Sequence, residues 1–150
     1  ARQALKVPDQ ATEVDFISGC ALMVKRAVVE QVGLLDPDFF LYYEDVDWST
    51  RVRKAGYRLV LTPTSVIWHK EMKAVGKRSP AHEYYVSRNN LLFMRKQASS
   101  FFWAAFWPAF ILKVVLKAFW FVARGQFHLL PAIFLGIRDF FAGRRGKLPV

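Results

Sequence analysis

Asp36-Pro37-Asp38-Phe39-Phe40-Leu41-Tyr42-Tyr43-Glu44-Asp45-Val46-Asp47-Trp48 is the stretch on which the reading of this chain turns. Asp-Pro-Asp opens it as a turn, since proline fixes φ and aspartate side chains bond the nearby backbone. From Glu44 to Ala55 the pattern becomes helical. Three acids stand in the first turn, Arg51, Arg53 and Lys54 stand in the last turns, and Gly56 follows. That order complements the helix dipole and ends in a left-handed cap. Carboxylates walled by large aromatics at a helix start can accept a proton from a hydroxyl held within hydrogen-bond reach. A plainer reading stands beside it: Glu44, Asp45 and Asp47 serve only the helix dipole.

Working outward, Val14-Asp15-Phe16-Ile17 alternates as a short strand would, and Ser18-Gly19 interrupts it. Arg26 to Val32 reads as a short helix stopped by Gly33. Downstream, Arg58 to Leu61 and Ser65 to Trp68 are β-rich segments split by Thr62-Pro63-Thr64, and Glu83 to Gln97 reads as a helix. His69 follows Trp68 at the end of a β-like segment, where a neutral ring nitrogen can ligate a divalent cation. No second ligand stands beside it at metal-site spacing, so a surface histidine is the competing reading. Arg88-Asn89-Asn90 offers a guanidinium fork for a diphosphate, or a solvated helical face.

With 150 residues, 53% of them hydrophobic, the chain can bury a core, and its formal charge of +10 favours an anionic partner. Charge alone does not choose among phospholipid, nucleic acid and phosphorylated ligand. Eleven of the twelve acids precede position 84, whereas Ser99 to Val150 holds seven Lys or Arg against Asp139 alone. Two regions with different surroundings are implied, 1–98 and 99–150. Phe101 to Ala123 would span about 34 Å as a straight helix, close to the thickness of a bilayer's hydrocarbon. Lys113 and Lys117 lie four apart and share one face, which suits a helix lying in the interface with its amines toward phosphates. Leu129 to Ile137 is a second apolar stretch, too short to span alone. The single cysteine, Cys20, rules out an internal disulfide framework. The first residues lack a secretory signal and an initiating Met, so a piece of something longer is expected.

The ordered set Val14-Asp15-Phe16-Ile17-Ser18-Gly19-Cys20-Ala21, Val32-Gly33-Leu34-Leu35-Asp36, Phe39 to Asp47, Arg51, Ala55-Gly56-Tyr57-Arg58, Pro63, Trp68-His69, Tyr84-Tyr85 and Arg88-Asn89 resembles a known family. It is similar to the second half of the GT-A catalytic domain of family 2 glycosyltransferases, nearest to rhamnosyl- and galactofuranosyltransferase-like members. The resemblance covers about Val14 to Gln97. It implies an α/β, Rossmann-like partial domain on the acceptor side, followed by membrane-associated helices on the cytoplasmic face of the membrane. It implies Asp45 as the base that takes the acceptor hydroxyl's proton, and His69 as a ligand of Mg²⁺ or Mn²⁺ on the donor diphosphate. Gly19, Glu44, Asp47, Trp68, Arg88 and Asn89 would line the acceptor or donor site. The implied partners are a nucleotide-sugar donor, a glycan or lipid-linked acceptor and an anionic membrane surface.

The family's first half, with its nucleotide-binding strands and Asp-x-Asp motif, has no counterpart here, and Asp36-Pro37-Asp38 shares only the spelling. An isolated fragment would therefore be inactive. The competing class is a non-catalytic membrane-anchoring or interaction module. A nucleic-acid binder is not expected, because no helix-turn-helix, RNP-like or zinc-finger pattern accompanies the charge.

Overall fold

The computed structural model describes residues 8–67 and 79–148. Within them run β1 (Thr12–Val14), α1 (Arg26–Val32), α2 (Glu44–Lys54), β2 (Leu59–Leu61), α3 (Pro80–Gln97), α4 (Ser100–Ala123), a 3₁₀ turn (Phe127–Leu129) and α5 (Leu130–Phe141). The expected α/β class is met only in part. These residues are mostly helical, and their one sheet pairs β1 with β2 antiparallel, Thr12 opposite Leu61 and Val14 opposite Leu59. The first strand lies earlier than the alternation at 14–17 suggests, because Ile17 turns its amide to Ser49 Oγ at 3.3 Å instead of to a neighbouring strand. Residues 65–67 are not in a strand.

The chain divides into two compact units, Ala1–Asp36 with Glu44–Glu71, and Pro37–Tyr43 with Met72–Val150. Within the second unit α3 packs against α5. In the first unit Val28, Trp48, Val52 and Leu59 form the core, with Val14, Ile17, Leu22, Val32 and Tyr57 around it. Trp48 fills that core and donates its indole N–H to the Gly33 carbonyl at 2.9 Å. α2 ends as its sequence says. Gly56 takes φ +87°, its amide bonds Arg53 O at 2.9 Å, and the Tyr57 amide reaches back to Val52 O at 3.2 Å. This paired closure, with Tyr57 packed near Val52, satisfies carbonyls the helix end would otherwise orphan.

In the second unit α3 begins at Pro80, three residues before the expected start, because Ser79 caps it by accepting the His82 amide at 3.1 Å and proline fits the first helical position. A Cβ placed on Gly136 would meet Tyr84 O at 2.5 Å and Arg88 N at 3.2 Å, so α5 lies directly on the backbone of α3. Phe39, Leu91, Leu92, Phe110 and Phe140 form the largest apolar cluster here. α4 continues through Pro108 and buries only Phe110 and Phe121. By length and composition it can cross a membrane, and 11% of its apolar window is buried, too little for a helix at the centre of a soluble core.

The Phe39–Tyr43 loop is the least ordinary backbone. Phe40, Tyr42 and Tyr43 take φ of +60°, +65° and +74°, a region bulky residues avoid at a cost of about 1–3 kcal/mol each. α3 holds them there. The Asn89 amide donates to the carbonyls of Phe39, Leu41 and Tyr42, each at 2.8 Å. Arg88 Nη2 adds bonds to Phe39 O at 3.0 Å and Asp38 O at 3.2 Å.

Candidate active site

In the first unit α2 starts at Glu44, and its first turn sets three carboxylates in three environments. Asp47 is 1% exposed and bound to Arg51 Nε at 2.8 Å. Arg51 then spends its other nitrogens on Val32 O at 2.7 Å and Leu34 O at 2.8 Å, so this pair fixes the chain leaving α1. Glu44 is partly buried; loss of water pushes its pKa up, a bond from its own amide pulls back, and the charge of Asp45 adds to the rise. Its Oε2 finds no hydrogen-bond partner among the described residues.

Asp45 is partly exposed and accepts the Gly19 amide on Oδ2 at 3.0 Å and the Val46 amide on Oδ1 at 2.9 Å. Each oxygen keeps room for a further donor. Two amides therefore orient the carboxylate without consuming it, an arrangement able to receive a proton from a bound hydroxyl. The Ser18-Gly19 bend supplies one of them. Glycine is not forced sterically there, since an added Cβ would meet Asp45 Cβ at an ordinary 3.6 Å. A cleft of about 470 Å³ in the same unit, lined by Ile17, Leu22, Val28, Trp48 and Tyr57 among others, contains none of Gly19, Glu44 and Asp45.

The structure thus brings Gly19, Glu44, Asp45 and Asp47 together. Arg88 and Asn89 belong to the second unit, are 0% exposed, and spend their donors on carbonyls; Arg88 Nη1 also reaches Gly146 O at 2.7 Å. In this conformation both side chains bond protein groups. Trp68 and His69 lie outside the described residues. Among the described residues no group of three or more His, Cys, Asp or Glu gathers as a metal site. Sequence reasoning missed Ser49, which catches the Ile17 amide, and nothing in its helical context marks it. Arg51 was legible through its i, i+4 spacing from Asp47.

Comparison with known proteins gives partial matches. The chain is 32% identical over 92 residues to N-acetylglucosaminyl-diphospho-decaprenol L-rhamnosyltransferase of Mycobacterium tuberculosis, covering 61% of this chain and 30% of that protein. It is 33% identical over 82 residues to dTDP-rhamnosyl transferase RfbF of Shigella flexneri, covering 49% and 28%. Over 41 residues it is 39% identical to the low-salt glycan biosynthesis hexosyltransferase Agl10 of Haloferax volcanii, covering 27% and 13%. No family model matches, and no solved structure matches. The chain spans less than a third of the length of the curated relatives it matches, and over that span it is similar to rhamnosyl- and hexosyltransferases.

Proposed function

We propose that this chain is the acceptor-side part of a GT-A catalytic domain of the family 2 type, in a membrane-associated, inverting glycosyltransferase that adds a sugar from a nucleotide-sugar donor to a cell-envelope glycan or lipid-linked acceptor. The observation that carries the reading is the Asp45 carboxylate, oriented by the Gly19 and Val46 amides with capacity left on both oxygens. Similarity to sugar transferases over 92 residues supports the reaction class, and a relative whose name includes diphospho-decaprenol supports a lipid-linked acceptor.

In the reaction the acceptor hydroxyl oxygen attacks the anomeric carbon from the side opposite the leaving diphosphate. The new C–O bond forms as the bond to the diphosphate breaks, and the hydroxyl proton passes to Asp45. General-base help of this kind is worth about 10²–10⁴-fold. Glu44 and Asp47 flank the base, Asp47 by fixing Arg51 and Glu44 by shaping the polarity of the helix start. Arg88 and Asn89 support the Phe39–Tyr43 loop of the second unit. Trp68 would line the acceptor or donor site, and His69 would be a ligand of Mg²⁺ or Mn²⁺; such a cation would stabilise charge on the departing diphosphate. The exposed apolar surface of α4 favours membrane association, which this reading puts on the cytoplasmic face. The same surface is what speaks for a non-catalytic anchoring module, a reading that leaves the Asp45 arrangement without a purpose.

The test is sugar transfer by the full-length protein. Asp45→Asn is expected to lower turnover at least about 10²-fold with donor affinity nearly unchanged. In a metal titration of the same assay, His69→Ala shifts the Mn²⁺ curve to higher concentration. Turnover of Asp45→Asn close to wild type would remove the base from the scheme, and activity of neither protein on any nucleotide sugar would favour the module.

A further inference from the structure

Glu83 sits in the first turn of α3 as a carboxylate 1% exposed, with Oε1 3.2 Å from His82 Nδ1 and Oε2 paired with the ammonium of Lys117 on α4. That pairing turns Lys117 toward protein. Lys113 stands one turn earlier on the same side of α4 and has no carboxylate at ion-pair distance among the described residues. Burial and the Lys117 ammonium press its pKa below the usual lysine value, and the charge of Glu83 opposes them. Glu83 thus answers Lys117 by direct contact, and the charge of Lys113 is left without a carboxylate in contact among the described residues.

The far side of α4 is apolar and open: Ile111, Leu112, Val115, Leu116 and Phe119 are each more than half exposed. A cation at the edge of a bare hydrocarbon surface matches a ligand with an anionic head and an apolar body. Lys113 also lies near the middle of the 24-residue helix. If α4 crossed the bilayer, the uncompensated charge would sit near the hydrocarbon centre, whereas a helix lying in the interface keeps it at phosphate depth.

We propose that Lys113, backed by the Lys117–Glu83 pair, binds the phosphate of an anionic lipid whose hydrocarbon lies along the exposed face of α4. The assignment rests on the membrane association proposed above and not on sugar transfer, so it is measured without donor or acceptor turnover. The full-length protein is floated with vesicles of phosphatidylcholine alone, with added phosphatidylglycerol, or with an isoprenoid diphosphate at matched charge. The variants are Lys113→Gln and Arg124→Gln, the latter placed further along α4 with its guanidinium 4.6 Å from the centre of the Trp120 ring.

Lys113→Gln is expected to lose about fivefold in affinity for an anionic arm, the worth of one lysine near an anionic surface, while matching wild type on phosphatidylcholine. Arg124→Gln should lose distinctly less. Loss confined to the isoprenoid diphosphate identifies a carrier lipid, and loss with phosphatidylglycerol identifies bulk headgroups; both support the site. Equal losses for the two variants, or none for Lys113→Gln, overturn it in favour of diffuse charge. Failure of wild type to float in any arm overturns the membrane reading itself and leaves the transferase reading standing.

Discussion

Asp45 in the first unit and Asp139 in the second are both aspartates gripped by protein donors, and they differ in what is left over. Asp45 takes two amides and stays partly exposed. Asp139 is 0% exposed, with Oδ1 bound by Arg138 Nε at 3.1 Å and Nη2 at 2.9 Å and reached by Arg144 at 3.4 Å, while Oδ2 accepts the Tyr84 hydroxyl at 3.1 Å. Burial pushes the Asp139 pKa up, but the bonds from Arg138 and Tyr84 and the arginine charges outweigh it and leave it below the usual range. A carboxylate shut away from water and held by two arginines and a tyrosine serves the fold. One oriented by amides and still reachable by water can do chemistry.

Two arginines repeat the contrast. Arg51 binds the Val32 and Leu34 carbonyls with its charge answered by Asp47 and its side chain 26% exposed. Arg88 is fully buried and has no carboxylate in direct contact among the described residues; carbonyls, the Tyr84 hydroxyl, and the Tyr84 and Tyr85 rings at 5.4 and 5.1 Å surround it. Its charge is answered by oriented dipoles and π faces, with Asp139 one hydroxyl further on.

The sharpest way to break the first comparison is to measure stability rather than activity. Asp139→Ala is expected to cost about 3 kcal/mol, because it leaves the Tyr84 hydroxyl and two arginines without their common acceptor, while Asp45→Asn costs under about 1 kcal/mol. Urea midpoints of the two variants test this. Comparable losses would mean that Asp45 is as structural as Asp139. The pH dependence carries a sign as well. Since the folded pKa of Asp139 is depressed, its stabilisation is present above the ordinary value of 3.8 and disappears as pH falls through the folded value. The gap between wild type and Asp139→Ala should therefore close only on strong acidification.

A smaller effect sharpens the second comparison. Arg88→Met should cost about 2–3 kcal/mol, since it strands buried carbonyls of Asp38, Phe39 and Gly146, whereas Arg51→Lys, which keeps a cation beside Asp47, should cost about 1 kcal/mol. Thermal unfolding of both variants gives the order, and a reversal would refute the account of Arg88 as the anchor of the loop.

The smallest effect belongs to Glu44. Its raised folded pKa means that the stabilising protonated form is present below the ordinary 4.5 and is lost as pH rises through the folded value. Glu44→Gln should match wild type in acid and be more stable near neutrality by less than about 1 kcal/mol. A variant less stable than wild type near pH 7 would mean that an ionised Glu44 contributes to the fold.

The sequence made α2 legible in full, because acids, bases and Gly56 all follow from the physics of helix ends. α4 was legible as an apolar run, and Asp45 as one of three acids at a helix start. What separated Asp45 from its neighbours was not legible, since the difference lies in Gly19, which arrives from another part of the chain, and in the burial of Asp47. The Phe39–Tyr43 loop was hidden for a related reason. Aromatic residues argue against φ above zero, and only the donors of Arg88 and Asn89, roughly fifty residues away, hold them there. The start of α3 was hidden because Ser79-Pro80 reads equally well as loop and as cap.

The contact at Gly136 has a consequence best put in genetic terms. Any glycine codon becomes an alanine codon through a single base change, so the smallest possible lesion at this position drives a methyl group into Tyr84 O and parts α5 from α3. The phenylalanines that stand out from the same region at positions 127, 134 and 141 each have more than half their surface free, and exchanging one for leucine disturbs little packing. Among alleles recovered after random mutagenesis, loss of function should therefore concentrate at the residue with no side chain at all, while the bulkiest residues nearby drift.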